Sequence, residues 1–427
     1  MSEKIVRESG NFKNVEQVNH NGEMGFAIYE NGSFTFRKQV GNAFPRTKVP
    51  WALAPMPIEC KSEAELLAEI REAIFKYCDL SPEYNYDICA AWAMASWRLE
   101  AFNSVCYIEA LGPPGSGKTR LLEALQALSY RGVLCSHVTF SSIFRAIEKD
   151  RVTLLLDQAE KLRSVKDSGD VISILDGGYR RGATKLLFDE KIDDYVAFEI
   201  FGFKAIAATN PLERSLEDRC IPILMQKAKR EVPTWLKTDD KQLAQLRGKL
   251  LSYRFKLTAE ESEDSEENEH RLMPLLEKVT RDSRLRELFY PLIYANKCSL
   301  SSESSLSSHP LAQAISTLDE SRKEADYTSA YSEILHAIDS CIDLGLIVNG
   351  RILIQSITDA FNEVRDMKFR VSPATVGGYL KTLGFDKQHT REGNAIVYNE
   401  ALMKQLHMRF VKVIETYAVK TGSPFPT

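Results

Sequence analysis

Gly112-Pro113-Pro114-Gly115-Ser116-Gly117-Lys118-Thr119 is the stretch of sequence that decides the fold. It fits the pattern G-x-x-x-x-G-K-[ST]. In that pattern glycines let backbone N–H groups surround phosphate oxygens, the lysine reaches the β- and γ-phosphates, and the threonine hydroxyl ligates Mg²⁺. Val105–Leu111 predicts a buried strand before the loop, and Lys118–Tyr130 predicts a helix whose N-terminus faces the phosphates. The sequence therefore predicts a P-loop that binds ATP with all eight residues.

A second apolar run, Thr153–Leu156, ends in the carboxylate of Asp157. In P-loop ATPases a carboxylate at such a strand end holds Mg²⁺. We therefore expect Thr119 and Asp157 to form the metal site together.

Short strands alternate with helices from Val105 to about Met225, which predicts a parallel sheet with helices on both faces. An additional hairpin is expected between Thr184 and Phe201. The predicted strands are Val105–Leu111, Val133–Thr139, Val152–Asp157, Phe198–Phe201, Lys204–Thr209 and Ile221–Met225. The expected fold class is therefore α/β.

The motifs together reach beyond a generic P-loop. Residues Ser62–Leu257 resemble the AAA+-like P-loop ATPase domain of a family of unknown function from mobile elements, plasmids and archaea, described as helicase-like or primase-helicase-like. The resemblance rests on GPPGSGKTRLLEAL (112–125), Ile143–Ile147, TLLLDQAE (153–160), LDGGYRRGAT (175–184), FGFKAIA (201–207) and LEDRCIPI (216–223). It implies ATP-driven work on DNA by a homo-oligomer, a hexameric ring.

The resemblance also implies roles for single residues. AAA+ proteins usually carry Glu after the metal-binding Asp; here it is Gln158, whose amide cannot accept a proton, so slow hydrolysis is expected. Glu160 is the alternative base, although it also fits a surface helix. Asn210 matches the position that senses the γ-phosphate, or else it is a turn residue. Arg219 is expected to reach the neighbouring subunit's nucleotide as an arginine finger; Arg214 is the second candidate, and a surface salt bridge is the alternative.

Four further cations lie in or near the same motifs. Arg180 and Arg181 either contact nucleotide or DNA, or cap a helix C-terminus beside Gly182. Lys185 and Lys191 flank or tip the expected hairpin among several carboxylates. For these two lysines a solvated turn is favoured over a DNA contact.

The last hundred residues predict a winged helix. Three helices, Tyr327–Leu344, Ile357–Met367 and Pro373–Leu383, precede a hairpin around Arg391–Asn394. In the stretch from Arg365 to Arg391 six cations stand against two carboxylates, which gives the local positive charge that phosphate contacts require. We predict non-specific DNA binding, with protein binding as the alternative. The predicted DNA contacts are Arg365, Lys368, Arg370, Lys381, Lys387 and Arg391.

Composition limits the remaining possibilities. The 427 residues carry a net charge of −4, so no global positive field attracts nucleic acid. We find neither an N-terminal signal segment nor an apolar run long enough to span a membrane. The eight cysteines are scattered, which argues against a zinc site and predicts reduced thiols in a cytoplasm.

The expected organisation has five parts: a β-rich segment (1–60), a helical lead-in (61–104), the ATPase core (105–230), a helical lid with an acidic and Ser-rich linker (231–320), and the winged helix (321–427). The leading hypothesis is a ring-forming helicase or translocase motor that uses ATP and Mg²⁺. One rival is a slowly hydrolysing ATP switch that assembles on DNA. Another is an ATP-dependent remodeller of a protein partner.

Overall fold

The computed structural model describes residues 14–136, 139–159, 168–190, 193–237, 240–260, 264–298, 300, 306–327, 330–363 and 370–410. The chain divides into two compact units, Met1–Ser316 and Thr317–Thr427. The first unit contains β1 (Val15–His20), β2 (Glu23–Glu30), β3 (Ser33–Arg37), α1 (Glu63–Tyr77), α2 (Tyr84–Ala95), β4 (Tyr107–Leu111), α3 (Lys118–Leu128), β5 (Gly132–Cys135), α4 (Phe140–Asp150), β6 (Thr153–Leu156), α5 (Ser168–Gly177), β7 (Thr184–Asp189), β8 (Asp194–Glu199), β9 (Lys204–Ala208), α6 (Arg214–Glu217), β10 (Cys220–Leu224), α7 (Lys241–Glu260), α8 (Asp264–Val279) and α9 (Ser283–Ala295).

A five-stranded sheet forms the centre of the first unit. Its strand order is β10-β4-β9-β6-β5, and every neighbouring pair is parallel. The predicted α/β fold with a parallel sheet is therefore confirmed. Because β9 lies between β4 and β6 and the three strands are parallel, the segments that follow them meet at the carboxyl ends of the strands. Those segments are the P-loop, Asn210 and Asp157.

The lead-in helices pack their aromatic residues into the core. Trp92 and Trp97 are buried, and each indole N–H donates to a backbone carbonyl, Cys106 O at 3.0 Å and Leu128 O at 2.8 Å. The rings therefore fill the space beside the sheet without leaving a polar atom unpaired. Helix α1 begins directly after Ser62, whose hydroxyl caps it by accepting the Glu65 N–H at 3.1 Å.

The N-terminal segment forms an antiparallel sheet in the order β1-β2-β3, and β2 and β3 are joined by a tight turn at Asn31-Gly32. Both turn residues have positive φ, 51° and 76°, which suits Asn and Gly. Glu16 of this sheet is buried and forms an ion pair of 2.8 Å with Arg131. The Tyr130 hydroxyl also donates to Glu16. The antiparallel sheet is therefore anchored beside β5 of the central sheet through a buried charged network.

One predicted feature is wrong. The acidic composition of Glu260–Glu269 predicts a solvated or disordered linker, yet α8 begins at Asp264 and runs through the second half of that stretch. Carboxylates in the first turn of a helix interact favourably with its dipole, and Glu is a good helix former. An acidic composition therefore does not by itself prevent a helix here.

Several predicted boundaries are also too long. The predicted strand Val133–Thr139 ends at Cys135. The predicted strand Phe198–Phe201 is the end of β8 rather than a strand of the central sheet. The sequence pattern also predicts one helix over Pro82–Phe102, which is α2 followed by a tighter 3₁₀ turn, Ser96–Ala101, and a strand over Leu346–Leu353, of which only the last three residues form one.

The second unit has its own apolar core. Its elements are α11 (Ala330–Asp343), β11 (Arg351–Leu353), α12 (Ile354–Glu363), α13 (Pro373–Thr382), β12 (Lys387–Thr390), β13 (Gly393–Val397) and α14 (Glu400–Phe410); α10 (Pro310–Tyr327) precedes them. The three strands form an antiparallel sheet in the order β11-β13-β12. Ile338, Ile357, Leu380 and Ile396 pack together between the helices and this sheet. The Ser372 hydroxyl caps α13 by accepting the Thr375 N–H at 3.2 Å.

Two further findings concern membrane-spanning helices and the cysteine and metal-binding side chains. Among the described residues, every helix is too short or too polar to cross a membrane. All eight cysteines are free, and the described residues contain no cluster of His, Cys, Asp and Glu side chains that could hold a metal ion by itself.

Candidate functional site

The P-loop connects β4 to α3 and depends on its glycines. Gly115 and Gly117 adopt φ values of 78° and 92°, a region that favours glycine. A Cβ at Gly112 would overlap the carbonyl oxygen of Met225, which follows β10. Larger residues in place of these glycines would therefore disturb either the backbone conformation of the loop or its close contact with Met225.

The Lys118 ammonium lies at the mouth of this loop. It donates to the carbonyl oxygens of Gly112 at 2.6 Å and Pro113 at 2.9 Å. The Ser116 hydroxyl is buried and has no hydrogen-bond partner among the described residues. A buried hydroxyl without a partner is costly, so the loop offers a donor to a polar group that enters it.

The structure brings the two predicted metal ligands into contact. The Thr119 hydroxyl, in the first turn of α3, donates to Asp157 Oδ2 at 2.9 Å. Asp157 directly follows β6, and its other oxygen accepts the Gln158 N–H at 2.9 Å. Hydroxyl and carboxylate oxygens are ligands that suit Mg²⁺, so these two side chains fit the cation.

Gln158 lies in an unusual backbone conformation. Its φ is 59°, and its side chain is exposed. Independently of that conformation, the Gln158 N–H donates to Asp157 Oδ1, so the backbone directly after the carboxylate orients it. Asn210 is exposed in the turn after β9, at the same edge of the sheet. Glu160 lies outside the described residues.

Arg219 lies at the opposite, amino-terminal ends of the parallel strands, just before β10. Its guanidinium is 3.6 Å from the Asp176 carboxylate and 4.9 Å from the centre of the Tyr179 ring. Arg180 and Arg284 also lie near that ring, at 5.3 Å and 4.8 Å. Three arginines therefore surround one tyrosine, and we call them the arginine cluster.

The members of the arginine cluster differ in exposure. The Arg180 side chain is 56% exposed and forms an ion pair of 2.8 Å with Glu287, whereas the Arg219 side chain is 18% exposed. Arg181 points elsewhere, because its guanidinium donates to the carbonyls of Phe102 and Leu99 at 2.9 and 3.0 Å. No sequence pattern indicates Arg284, because about a hundred residues separate it from Tyr179 along the chain.

Lys204 joins two of the sequence blocks described above, LDGGYRRGAT (175–184) and FGFKAIA (201–207). It is fully buried, and its ammonium donates to the carbonyls of Gly178, Ile200 and Gly202 at 3.0–3.1 Å. Burial lowers the pKa of Lys204 to about 7. A Cβ at Gly178 would come within 2.6 Å of the ammonium. The blocks that contain Gly178 and Lys204 are thus two sides of one buried contact.

The hairpin formed by β7 and β8 presents an apolar face. Leu186, Phe188 and Tyr195 share that face and are 52–68% exposed. The opposite face packs on α4, where the Phe198 and Phe144 rings lie 4.8 Å apart. The predicted hairpin is present, but the solvated-turn interpretation missed its aromatic surface. Lys191 lies outside the described residues.

A pocket of about 420 Å³ lies at the end of β10, the strand that pairs with β4, and Leu224 lines it there. In the same pocket Arg230 stacks over the Phe75 ring at 4.1 Å and pairs with the Asp79 carboxylate at 3.4 Å. Glu83 also belongs to the lining, so the pocket combines aromatic surface with charges of both signs.

The predicted DNA-contacting residues lie in the second unit. Arg370, Lys381, Lys387 and Arg391 are all exposed. Lys381 is in the last turn of α13, Lys387 begins β12, and Arg391 is in the turn before β13. Arg365 and Lys368 lie outside the described residues.

The chain matches no protein-family model and no curated protein sequence. It is remotely similar to solved structures. The C-terminal region of NrS-1 in its apo A form is 12% identical, with a TM-score of 0.36 over 92% of this chain and 98% of that one. The SCCmec type IV Cch active helicase is 12% identical, with a TM-score of 0.41 over 79% of this chain and 68% of that one. JCV helicase is 12% identical, with a TM-score of 0.24 over 66% of this chain and 65% of that one. All three TM-scores lie below 0.5, so the similarity is too remote to assign a function to this chain.

Proposed function

We propose that this chain is an ATPase that acts on DNA as a helicase- or translocase-like motor. The observation that carries the proposal is the contact of 2.9 Å between Thr119 and Asp157 at the mouth of a glycine-rich loop. This pair would hold Mg²⁺, which supplies charge neutralisation on the phosphates when bound. Lys118 and the backbone of residues 112–119 would hold the β- and γ-phosphates, and Asn210 would contact the γ-phosphate or the attacking water.

The pocket at the end of β10 supports the nucleotide assignment. Phosphates in the loop would leave the base and ribose to bind nearby, and β10 pairs with the P-loop strand. The Phe75 side chain is 44% exposed and suits a base, and the exposed Lys227 and Lys229 suit anionic groups.

The arginine cluster supports the proposal of a ring. The cluster lies at the amino-terminal ends of the strands, away from the P-loop at their carboxyl ends. Its arginines therefore cannot contact a nucleotide bound to their own chain. In a head-to-tail ring this side of the sheet would face the nucleotide of the next copy, where arginine stabilises charge on a transferring phosphoryl group. Arg180, already a candidate nucleotide contact from its sequence block, has the most exposed side chain of the three and is a second candidate for that role beside Arg219.

The second unit supports the DNA assignment. Its order is helix, strand, helix, helix, strand, strand, with β13 in the middle of the sheet, which is the order of a winged helix. The exposed side of α13 carries small or polar residues such as Thr375, Gly378 and Lys381. Such a helix can approach a duplex closely but offers few groups that read bases, so non-specific binding is proposed.

Steady-state phosphate release with and without single-stranded DNA tests the motor proposal. We expect Mg²⁺-dependent turnover that single-stranded DNA stimulates, because a motor couples hydrolysis to its track. Asp157→Ala should remove turnover in both conditions. Turnover that ignores DNA of every form would contradict the motor.

A second candidate is an ATP switch that assembles on DNA and hydrolyses slowly. Gln158 favours it, since the usual carboxylate is replaced by an amide in a left-handed turn. Sedimentation with ATP and with ADP separates the two. Assembly that follows ATP binding, with negligible phosphate release on DNA, would support the switch.

DNA binding should be strongly salt-dependent and should depend on the second unit. Each phosphate contact contributes about −0.9 to the slope of log K against log salt. We expect the triple substitution Lys381→Gln, Lys387→Gln and Arg391→Gln to reduce that slope by about 2–3. Fluorescence anisotropy with a labelled duplex at several salt concentrations measures it.

Lys404→Gln is the matched control. Lys404 belongs to the same unit and is 73% exposed, but it pairs with Glu400 at 2.7 Å on α14. The control should leave the slope unchanged. Equal slopes for the triple variant and wild type would reject the proposed DNA surface and leave protein binding as the role of this unit.

A further inference from the structure

Glu109 is a buried carboxylate that the proposed ATP site does not use. It lies in the middle of β4, three residues before the P-loop, and is 1% exposed. Its neighbours in the sheet are Ile206 on β9 and Pro222 on β10. A carboxylate is expensive to bury among such residues, so its retention requires a specific contact.

That contact is with the turn that follows β9. Glu109 Oε1 accepts the Leu212 N–H at 3.2 Å. Leu212 lies two residues after Asn210 and two residues before Arg214, the first residue of α6. Pro211 between them has no N–H to donate. The Glu109 carboxylate is therefore a direct side-chain tether between the P-loop strand and the turn that carries Asn210.

Two ionisable groups face Glu109. Glu217 projects from α6, and the buried Cys220 thiol begins β10. The pKa of Glu109 is raised to about 7, chiefly because the carboxyl group is buried; the Leu212 N–H acts in the opposite direction, and the negative charge of Glu217 contributes to the rise. The charge of Glu109 thus changes near neutral pH, and the strength of its hydrogen bond to Leu212 changes with it, because an ionised acceptor binds an N–H more strongly.

We propose that Glu109 is a positioning residue, which holds the Asn210 turn in its working conformation when its carboxylate is ionised. The proposal rests on the ATPase function proposed above. Glu109 acts through Leu212 and the backbone of the turn and touches no phosphate. Its loss should therefore lower kcat and leave the affinity for ATP unchanged.

The pH dependence of turnover tests the proposal. Wild-type kcat should rise between about pH 6 and 8, because Glu109 ionises there. Glu109→Gln keeps an oxygen that can accept the Leu212 N–H but has no charge. We expect this variant to show a flat profile across that range, about tenfold below wild type at pH 8, since a hydrogen bond to a neutral acceptor is weaker.

Two more variants separate positioning from packing. Glu217→Gln removes the facing negative charge, so the rise in kcat should move to lower pH without losing height. Glu109→Leu fills the space but leaves the Leu212 N–H unpaired, so its kcat should be lower than that of Glu109→Gln at every pH. Isothermal titration of ATP should give equal affinities for wild type and Glu109→Gln.

Folding can be checked independently of turnover. Because the pKa of Glu109 is raised on folding, ionising it costs stability as the pH rises toward 7. In thermal unfolding, the melting temperature of Glu109→Gln relative to that of wild type should therefore rise between pH 5 and pH 8.

The outcomes distinguish the two proposals. Wild-type turnover with a pH profile that Glu109→Gln does not change would reject the positioning role and leave the ATPase intact. A weaker affinity of Glu109→Gln for ATP would also reject it. No ATP turnover by wild type under any condition would reject the ATPase and, with it, this inference.

Discussion

Lys118→Ala should bind ATP about 10- to 100-fold more weakly than wild type, because a charge-assisted hydrogen bond to phosphate contributes about 1.5–3 kcal/mol. Turnover should fall further, by about 10²–10³, because a cation that meets charge developing in the transition state is lost. The ammonium lies at the mouth of the loop, within 2.6–2.9 Å of two loop carbonyls. Calorimetric titration of ATP and phosphate release measure the two effects.

Lys61→Ala is the control for this prediction. Lys61 is 89% exposed and forms a weak surface pair with Glu65. Its removal should change neither ATP affinity nor turnover. Unchanged ATP affinity in a folded Lys118→Ala protein would mean that the loop is not the phosphate site.

The P-loop and Asp157 could be predicted because their signal is local. The glycines, lysine and threonine stand next to one another in sequence, and the strand that ends at Asp157 is a continuous apolar run. Their contact in space follows from parallel strands whose carboxyl ends share an edge. The Thr119–Asp157 distance of 2.9 Å agrees with that reasoning.

The arginine cluster and Glu109 could not be predicted in the same way. Arg284 reaches Tyr179 from a helix about a hundred residues later in the chain, and no periodicity marks that contact. Glu109 interrupts an apolar strand, and its meaning depends on a partner in the turn after another strand. Buried polar residues are specified by their partners, which only the folded chain reveals.

The aromatic face of the β7–β8 hairpin illustrates a different limit. The charges near its tip dominated the sequence pattern, and the solvated-turn prediction followed from them. The alternation along the two strands instead places Leu186, Phe188 and Tyr195 together on the exposed side. The pairing register of the two strands determines which side chains share this face, and the number of charged residues near the turn does not reveal that register.

The identity of residue 158 should control the rate of hydrolysis. A general base must accept a proton or polarise water strongly, and Gln does this far less well than Glu, so wild-type turnover should be slow. Gln158→Glu should raise kcat, by up to about 10²-fold, since general base catalysis typically contributes about 10²–10⁴. The new carboxylate would lie next to Asp157, at the sheet edge where the P-loop and Asn210 also lie.

Two further variants make this test decisive. Gln158→Asn tolerates the left-handed backbone, whose φ is 59°, but supplies no carboxylate, so its turnover should stay as low as that of wild type. Glu160→Gln examines the alternative base: if Glu160 is the base, that change removes turnover while Gln158→Glu alters little. Steady-state phosphate release, with and without DNA, measures all three variants. Fast wild-type turnover that none of the changes affects would show that the water is activated by a different group, and the assignment of residue 158 would then be wrong.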